Sequence, residues 1–288
     1  MNRCLAFLLA VMFATITVSS ACVAAIPSEW IAFDLRPESG DRIHADFRDQ
    51  ERDRDRSSWS TGFRPAELVG LDLGGFRGPG SRPLGFAIMR EAGRLDCSGK
   101  GGDSHAYGNC HFTADPGFLE LLARRGIGTP SREQAFGLMA VNARRDVIEA
   151  LAAARFPTPT IDDLMGLGAL GVDRRYIGEL AAAGYRPRAI DTLVQFKALG
   201  VTPQWIGGFT RIGYGTIPAD ELVQLRALGI TPDFVAGFNR IGYGRLPVST
   251  LVQLKALGIT PEFARSVGPN GRMSVDDLVE AKLFGHRR

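Results

Sequence analysis

Between Leu193 and Thr260 a 29-residue passage is written twice in succession, LVQFKALGVTPQWIGGFTRIGYGTIPADE and then LVQLRALGITPDFVAGFNRIGYGRLPVST, and a third copy opens at Leu251. The glycine of its ALG turn recurs at Gly171, Gly200, Gly229 and Gly258, and a glycine-aromatic pair recurs at Gly184 and Tyr185, Gly213 and Tyr214, Gly242 and Tyr243. A fixed period of this size restricts the chain to an array of like units, each of which buries one face against its neighbours.

Each unit reads as two short amphipathic helices. In Leu193 to Leu199 the apolar residues Leu193, Phe196 and Leu199 recur every three positions, Val194 widens the stripe, and Gly200 suits the left-handed cap that ends a helix. Thr202 and Pro203 then announce a second start: the Thr side chain accepts from first-turn amides, and Pro loses nothing at the first helical position. The face of this second helix is Trp205, Ile206, Phe209 and Ile212, its cap is Gly213, and Tyr214 follows.

Sliding the frame upstream in steps of 29 carries it two units back, where Val147, Ile148 and Phe156 stand in the places of Trp205, Ile206 and Tyr214, and Gly126 and Ile127 in those of Gly184 and Tyr185. Downstream, after a two-residue deletion, Leu278, Val279 and Gly285 take the places of Leu251, Val252 and Gly258. The array therefore runs from about Pro116 to the end of the chain in roughly six units.

The segment 1–25 reads as a secretory leader: Arg3 supplies the positive end, Leu5 to Val18 the apolar run, and Val23, Ala24 and Ala25 the small-residue cleavage site. Ser19, Ser20, Ala21 and Cys22 also form a weak lipoprotein box, so two locations stand open: periplasmic or secreted, or a lipoprotein anchored through Cys22. The mature chain, from Ile26 onward, has no other stretch apolar enough to cross a bilayer, and losing Arg3 from 34 basic against 31 acidic residues leaves a net charge of +2. That balance gives no reason to expect a polyanionic partner.

Composition divides the mature chain near residue 115. From 26 to 114 Gly, Ser, Arg and Asp alternate with apolar residues at period two, and from 115 to 288 Leu, Ala and Gly dominate at helical spacing. The expected fold class is α+β: a small antiparallel β domain over 26–114, then a solenoid of short helix pairs over 115–288. Strands are expected at Trp30 to Leu35, Ile43 to Phe47, Ser58 to Phe63, Gly85 to Arg90, Arg94 to Cys97 and Asn109 to Thr113. A short helix is expected from Pro65 to Leu73, and the alternating charges from Arg48 to Arg56 read as a solvated turn.

Cys97 and Cys110 sit in the last two of these strands around a glycine-rich hairpin tip, Gly99 to Gly108, and are placed to form a cross-hairpin disulfide after export. The rival use of both sulfurs is a metal site with His105 and His111, whose spacing fits no compact zinc signature. No zinc-peptidase HExxH, no GxSxG elbow and no phosphate-binding loop occurs, so no cofactor is expected. The reading left for an enzyme is an envelope hydrolase or metal-dependent activity in the β domain, using His105, His111 and Asp103.

Two rows in the repeats invite a binding role. Lys197, Arg226 and Lys255 recur once per unit, with Lys282 after the deletion, beside Gln195, Gln224 and Gln253; Arg211 and Arg240 make a shorter second row. Stacking would turn them into a ladder for an anionic or hydrogen-bonding partner, or the cations serve only the carbonyl ends of their own helices. Trp205, Phe234 and Phe263 read as core. Leu122 to Gly128 resembles a helix-hairpin-helix turn, but the leader and near-neutral charge argue against nucleic acid.

Units of the form DLVxLxALGVTPxFVxxLxxxGY resemble repeats in exported or extracytoplasmic parts of uncharacterised Gram-negative proteins, including regions attached to metallopeptidases of the β-lactam-sensing antirepressor type. FAIMREAGRLDCSGK and GNCHFTADPGF leading into LLARRGIGTP are similar to the segment preceding those repeats. The peptidase's membrane helices and HExxH are absent, so the resemblance implies no peptidase activity. It implies an envelope location and an interaction role and supplies no ligand; the helical array itself reads as a binding module for an envelope protein or peptidoglycan-linked partner.

Overall fold

The computed structural model describes residues 30–49, 58–268 and 273–285. The expected leader with Cys22, most of the charged run up to Arg56, and His286 lie outside the described residues. The rest is α+β: one six-stranded antiparallel sheet, then a run of short helices.

The strands are β1 (Trp30–Glu38), β2 (Arg42–Asp49), β3 (Ser58–Phe63), β4 (Arg82–Arg90), β5 (Gly93–Gly102) and β6 (His105–Ala114). Their order, β3-β2-β1-β6-β5-β4, is two three-stranded meanders joined where the first strand meets the last. Period-two patterning puts Ile31, Phe33 and Leu35 of β1, Ile43, Ala45 and Phe47 of β2, and Ala106, Cys110 and Phe112 of β6 on a common buried face. The short helix α1 (Leu73–Arg77), with Phe76 buried, covers part of that face.

Two local expectations need correction. The glycine-rich run from Gly99 to Gly108 is a paired ladder that continues β5 and β6, closed by the two-residue turn Asp103 and Ser104, both at positive φ as a tight hairpin requires. Gly99 and Gly108 lie opposite each other, and a Cβ on Gly99 would sit 2.1 Å from the Tyr107 carbonyl oxygen. Close backbone approach, and not looseness, accounts for the glycines. The helix expected over Pro65 to Leu73 is instead a single 3-10 turn at Pro65–Glu67, after which Val69 exchanges two 2.8 Å hydrogen bonds with Ala87 and α1 begins. Gly70 at positive φ separates the pieces, and the bridge shields part of the β4 edge. Cys97 and Cys110 face each other directly in the ladder, with Cα atoms 4.0 Å apart, and are joined by a disulfide.

After β6, Asp115 caps α2 (Pro116–Arg124) by accepting from the Phe118 amide. The array continues as α3 (Arg132–Ala140), α4 (Arg145–Ala153), α5 (Ile161–Ala169), α6 (Arg174–Ala182), α7 (Ile190–Leu199), α8 (Pro203–Arg211), α9 (Ala219–Ala227), α10 (Pro232–Arg240), α11 (Val248–Ala256), α12 (Pro261–Val267) and α13 (Val275–Phe284). Helices α3, α5, α7, α9 and α11 stack in sequence as one layer. Opposite them α4 packs on α6, and α8, α10 and α12 follow one another.

Start and stop signals behave as the repeat demands. Thr202, Thr231 and Thr260 each accept the third-residue amide at 3.2 Å, so the Thr-Pro pair begins α8, α10 and α12. At the other ends the residue after the left-handed position donates back five residues, as Val201 does to Phe196, Ile230 to Leu225 and Tyr214 to Phe209. Asn142 and Arg155 hold the left-handed position at the ends of α3 and α4, where later units have glycine.

The hydrophobic core runs unbroken from the sheet into the helices. Phe136 of α3 meets Phe112 and Trp59 edge-on, with ring centroids 5.5 and 6.1 Å apart. Arg90, at the end of β4, lies over the Trp59 and Phe63 rings and donates to the carbonyls of Met139 (2.8 Å) and Ala140. It thereby closes the C-terminal end of α3. Arg145 donates to the Gly117 carbonyl and Asp115, and its own amide is bonded to Glu91. Two arginines thus bind the first repeat to the sheet.

The α8–α10–α12 layer depends on glycine-proline contacts. A Cβ on Gly208 would lie 2.5 Å from Pro232 Cγ, and one on Gly237 2.6 Å from Pro261 Cγ, whereas one on Gly207 meets only an arginine tip at 3.8 Å. Gly207→Ala is therefore expected to raise stability by about 1 kcal/mol through helix propensity. Gly208→Ala is expected to lower it by about 1–3 kcal/mol through overpacking against a rigid ring. Urea denaturation of the two variants checks the opposite signs.

Candidate functional site

The ladder cations do not stand free. Lys197 Nζ lies 4.9 Å from the Tyr176 ring centroid, Arg226 Cζ 5.4 Å from Trp205, Lys255 Nζ 5.0 Å from Phe234 and Lys282 Nζ 4.9 Å from Phe263. Each cation, on the first helix of one unit, covers the aromatic residue on the second helix of the unit before it. A cation over a ring face meets its negative quadrupole while its methylene stem covers apolar surface. Arg226 adds a 2.9 Å hydrogen bond from Nε to the Leu199 carbonyl, an end group of the preceding first helix. The row is thus a chain of clasps between units.

In the sequence the cations and the aromatics stand as separate rows, and the aromatic row read there omits Tyr176. Its place is legible all the same, because Tyr176 stands one repeat period before Trp205. Burial pushes the Tyr176 phenol up to about 12, so it stays neutral and donates a 2.7 Å hydrogen bond to the Val201 carbonyl. Tyr214 donates similarly to the Leu246 carbonyl, with the Arg245 guanidinium 5.2 Å above its ring, and the Tyr185 hydroxyl accepts from the Ile217 amide. One step upstream of Lys197 the ladder position is Gly168, packed against Val141, so the clasps begin with α7.

The other repeated polar residues face water. Gln195, Gln224 and Gln253 are exposed, two positions before their cations on α7, α9 and α11. Since these helices stack directly, the amides recur at roughly the 8–10 Å of packed helix axes. Arg211 and Arg240 are also exposed at the ends of α8 and α10, their guanidinium groups lying along the bare backbone of Gly207 and Gly237.

In the β domain the structure sets the two histidines of the enzyme reading apart. His105 and His111 lie on the solvent face of β6, six residues or about 20 Å apart. His105 Nε2 is 2.8 Å from Asp34 Oδ2, His111 meets the edge of Trp30, and Asp103 accepts from the Gly80 amide. Burial acts to raise the Asp34 carboxyl, and the bonds to His105 and Arg36 outweigh it, holding the group below its ordinary value. On β2, His44 Nε2 shares a 3.0 Å hydrogen bond with Ser60 and lies 3.5 Å from Asp46. A serine nucleophile needs hydroxyl and carboxylate on opposite ring nitrogens, and here both meet the same one. The disulfide occupies the two sulfurs of the alternative metal site, and no group of three or more His, Cys, Asp or Glu suited to a metal occurs among the described residues. No helix among the described residues is long and apolar enough to cross a membrane.

The sequence matches no protein-family model, and no curated protein is significantly similar to it. The clasps are tested by paired substitutions. Arg226→Ala removes a ring contact and a bond to a helix-end carbonyl, and is expected to cost about 1–2 kcal/mol. Gln224→Ala, on the same helix but exposed, is expected to stay within about 0.5 kcal/mol of the parent in chemical denaturation.

Proposed function

We propose that the protein is a non-catalytic exported scaffold of the bacterial cell envelope, whose helical array docks an extended envelope protein or peptidoglycan-linked partner. The observation that carries this reading is the row of exposed amides Gln195, Gln224 and Gln253, held at constant spacing on a stack whose cations are clasped to the preceding units. A rigid, repeated surface suits a partner that is itself extended, because each unit adds a contact without further ordering of the array. Arg211 and Arg240 offer additional donors.

Export is supported by the Cys97–Cys110 disulfide, since such bonds persist in oxidising compartments. The periplasm or the exterior is the proposed location, with an anchor through Cys22 as the alternative. The likeness to repeats beside antirepressor-type peptidases remains part of this proposal and adds only the envelope setting.

The array face is tested by immobilising the chain, passing a solubilised envelope fraction over it, and comparing a variant carrying Gln195→Ala, Gln224→Ala and Gln253→Ala. The variant should keep its melting temperature and lose at least tenfold in retained partner. Equal retention by parent and variant would remove this face from the account.

A further inference from the structure

The sheet has a second face, and no helix of the described residues covers it. Strand registers place three rows of side chains across it. The middle row is Gly85, Ser98, Asn109 and Ala32, running from β4 through β5 and β6 to β1, and it ends at Arg48 on β2. On one side lie Asp96, His111 and Trp30, and on the other Lys100, Tyr107 and Asp34. Small residues make a low floor and large ones make two walls, four residues or about 13 Å apart along the strands. Trp30 is 58% exposed and Tyr107 53%, among the most exposed large apolar side chains of the described residues. Each is propped by a histidine, with centroids 6.1 Å apart for Trp30 and His111 and 5.8 Å for Tyr107 and His105.

Asp34 and Asp96 on this face are paired, and its cations Lys100 and Arg48 stand three strands apart. Asp34 is held by Arg36 and His105, both at 2.8 Å, and Asp96 by Arg94 at 2.6 Å. Among the described residues of this face a polyanion therefore finds no uncompensated cation cluster, and a cationic peptide no free acidic patch. What the face offers is two exposed aromatic rings flanking a floor of small residues in which Ser98 presents a hydroxyl. A pyranose ring complements that combination: its axial C–H groups form an apolar face for an aromatic ring, and its rim of hydroxyls meets the Ser98 hydroxyl and the polar ends of the wall side chains. Exposed rings of Trp and Tyr are suited to such amphipathic partners.

We infer that the trough between Trp30 and Tyr107 binds a neutral glycan strand of pyranose rings. It lies in the β domain and stands independently of the array face. Cellohexaose and chitohexaose, which share the ring and differ in their acetamido groups, are the probes. Each is titrated calorimetrically into the full chain, into Trp30→Ala, into Tyr107→Ala, and into the triple Gln195→Ala, Gln224→Ala, Gln253→Ala variant. At least one sugar should bind the parent, each aromatic variant should weaken it tenfold or more with melting unchanged, and the glutamine variant should bind as the parent does. Binding of chitohexaose alone would support the trough with recognition of acetamido groups, and binding of cellohexaose alone would support it with recognition of hydroxyls. No heat from either sugar at millimolar concentration would overturn the inference. So would binding that survives Trp30→Ala with Tyr107→Ala, or binding lost in the glutamine variant.

Discussion

Burial between neighbouring units is the interaction on which the rest depends. Among the described residues no helix is longer than ten residues, and α12 has seven. Helices this short do not persist in water, so each is stable only because Leu193, Phe196, Leu222, Leu225, Leu251 and Leu254 leave solvent against the next copy of the same surface. Local signals serve this end. Threonine caps fix where a helix begins, left-handed residues fix where it stops, and a constant period then brings like surfaces into register. The stack needs a first partner, and the inner face of the sheet provides it through Phe112, Trp59 and Arg90.

The clasps refine how the units are joined. A lysine or arginine on a short helix would ordinarily belong to solvent or to its own helix end. Here the same residue covers the flank of an aromatic ring belonging to the unit before it. The contact specifies neighbour and register together, because it forms only when successive units are offset by one period. Ring and cation vary in step with little effect on geometry: Lys with Tyr, Arg with Trp, Lys with Phe. Leaving the glutamines exposed beside clasped cations separates the parts that hold the array from those available to a partner.

Much of the fold could be read from the residues. The period located the helices, the change of composition near residue 115 fell at the end of β6, and alternation found six strands. Leu278 and Gly285, identified across a two-residue deletion, are respectively buried and at positive φ, like Leu251 and Gly258. What stayed hidden depended on long-range contact. The glycines from Gly99 to Gly108 suggest looseness locally, and only the opposing strand and the Phe33 ring near Gly108 show why a side chain is excluded. Arg90 and Arg145 carry no local mark of their roles, since their acceptors lie 49 and 28 residues away. The cation row was legible as a row, but its aromatic partners belong to the second helix of the preceding unit and meet it only when helices stack. The solvent face of the sheet was likewise invisible until the register placed Trp30 beside His111 and Tyr107 beside Asp34.

The central claim is that sheet and helices form one continuous stack whose stability passes from unit to unit. Native-state hydrogen exchange on the full chain, resolved by segment, tests it most directly. The account predicts that β5, β6 and α3 open with a common free energy and that protection extends from them through α5, α7 and α9. A sheet that opens separately from α3, or helices α5 to α11 exchanging as freely as unstructured peptide, would contradict it.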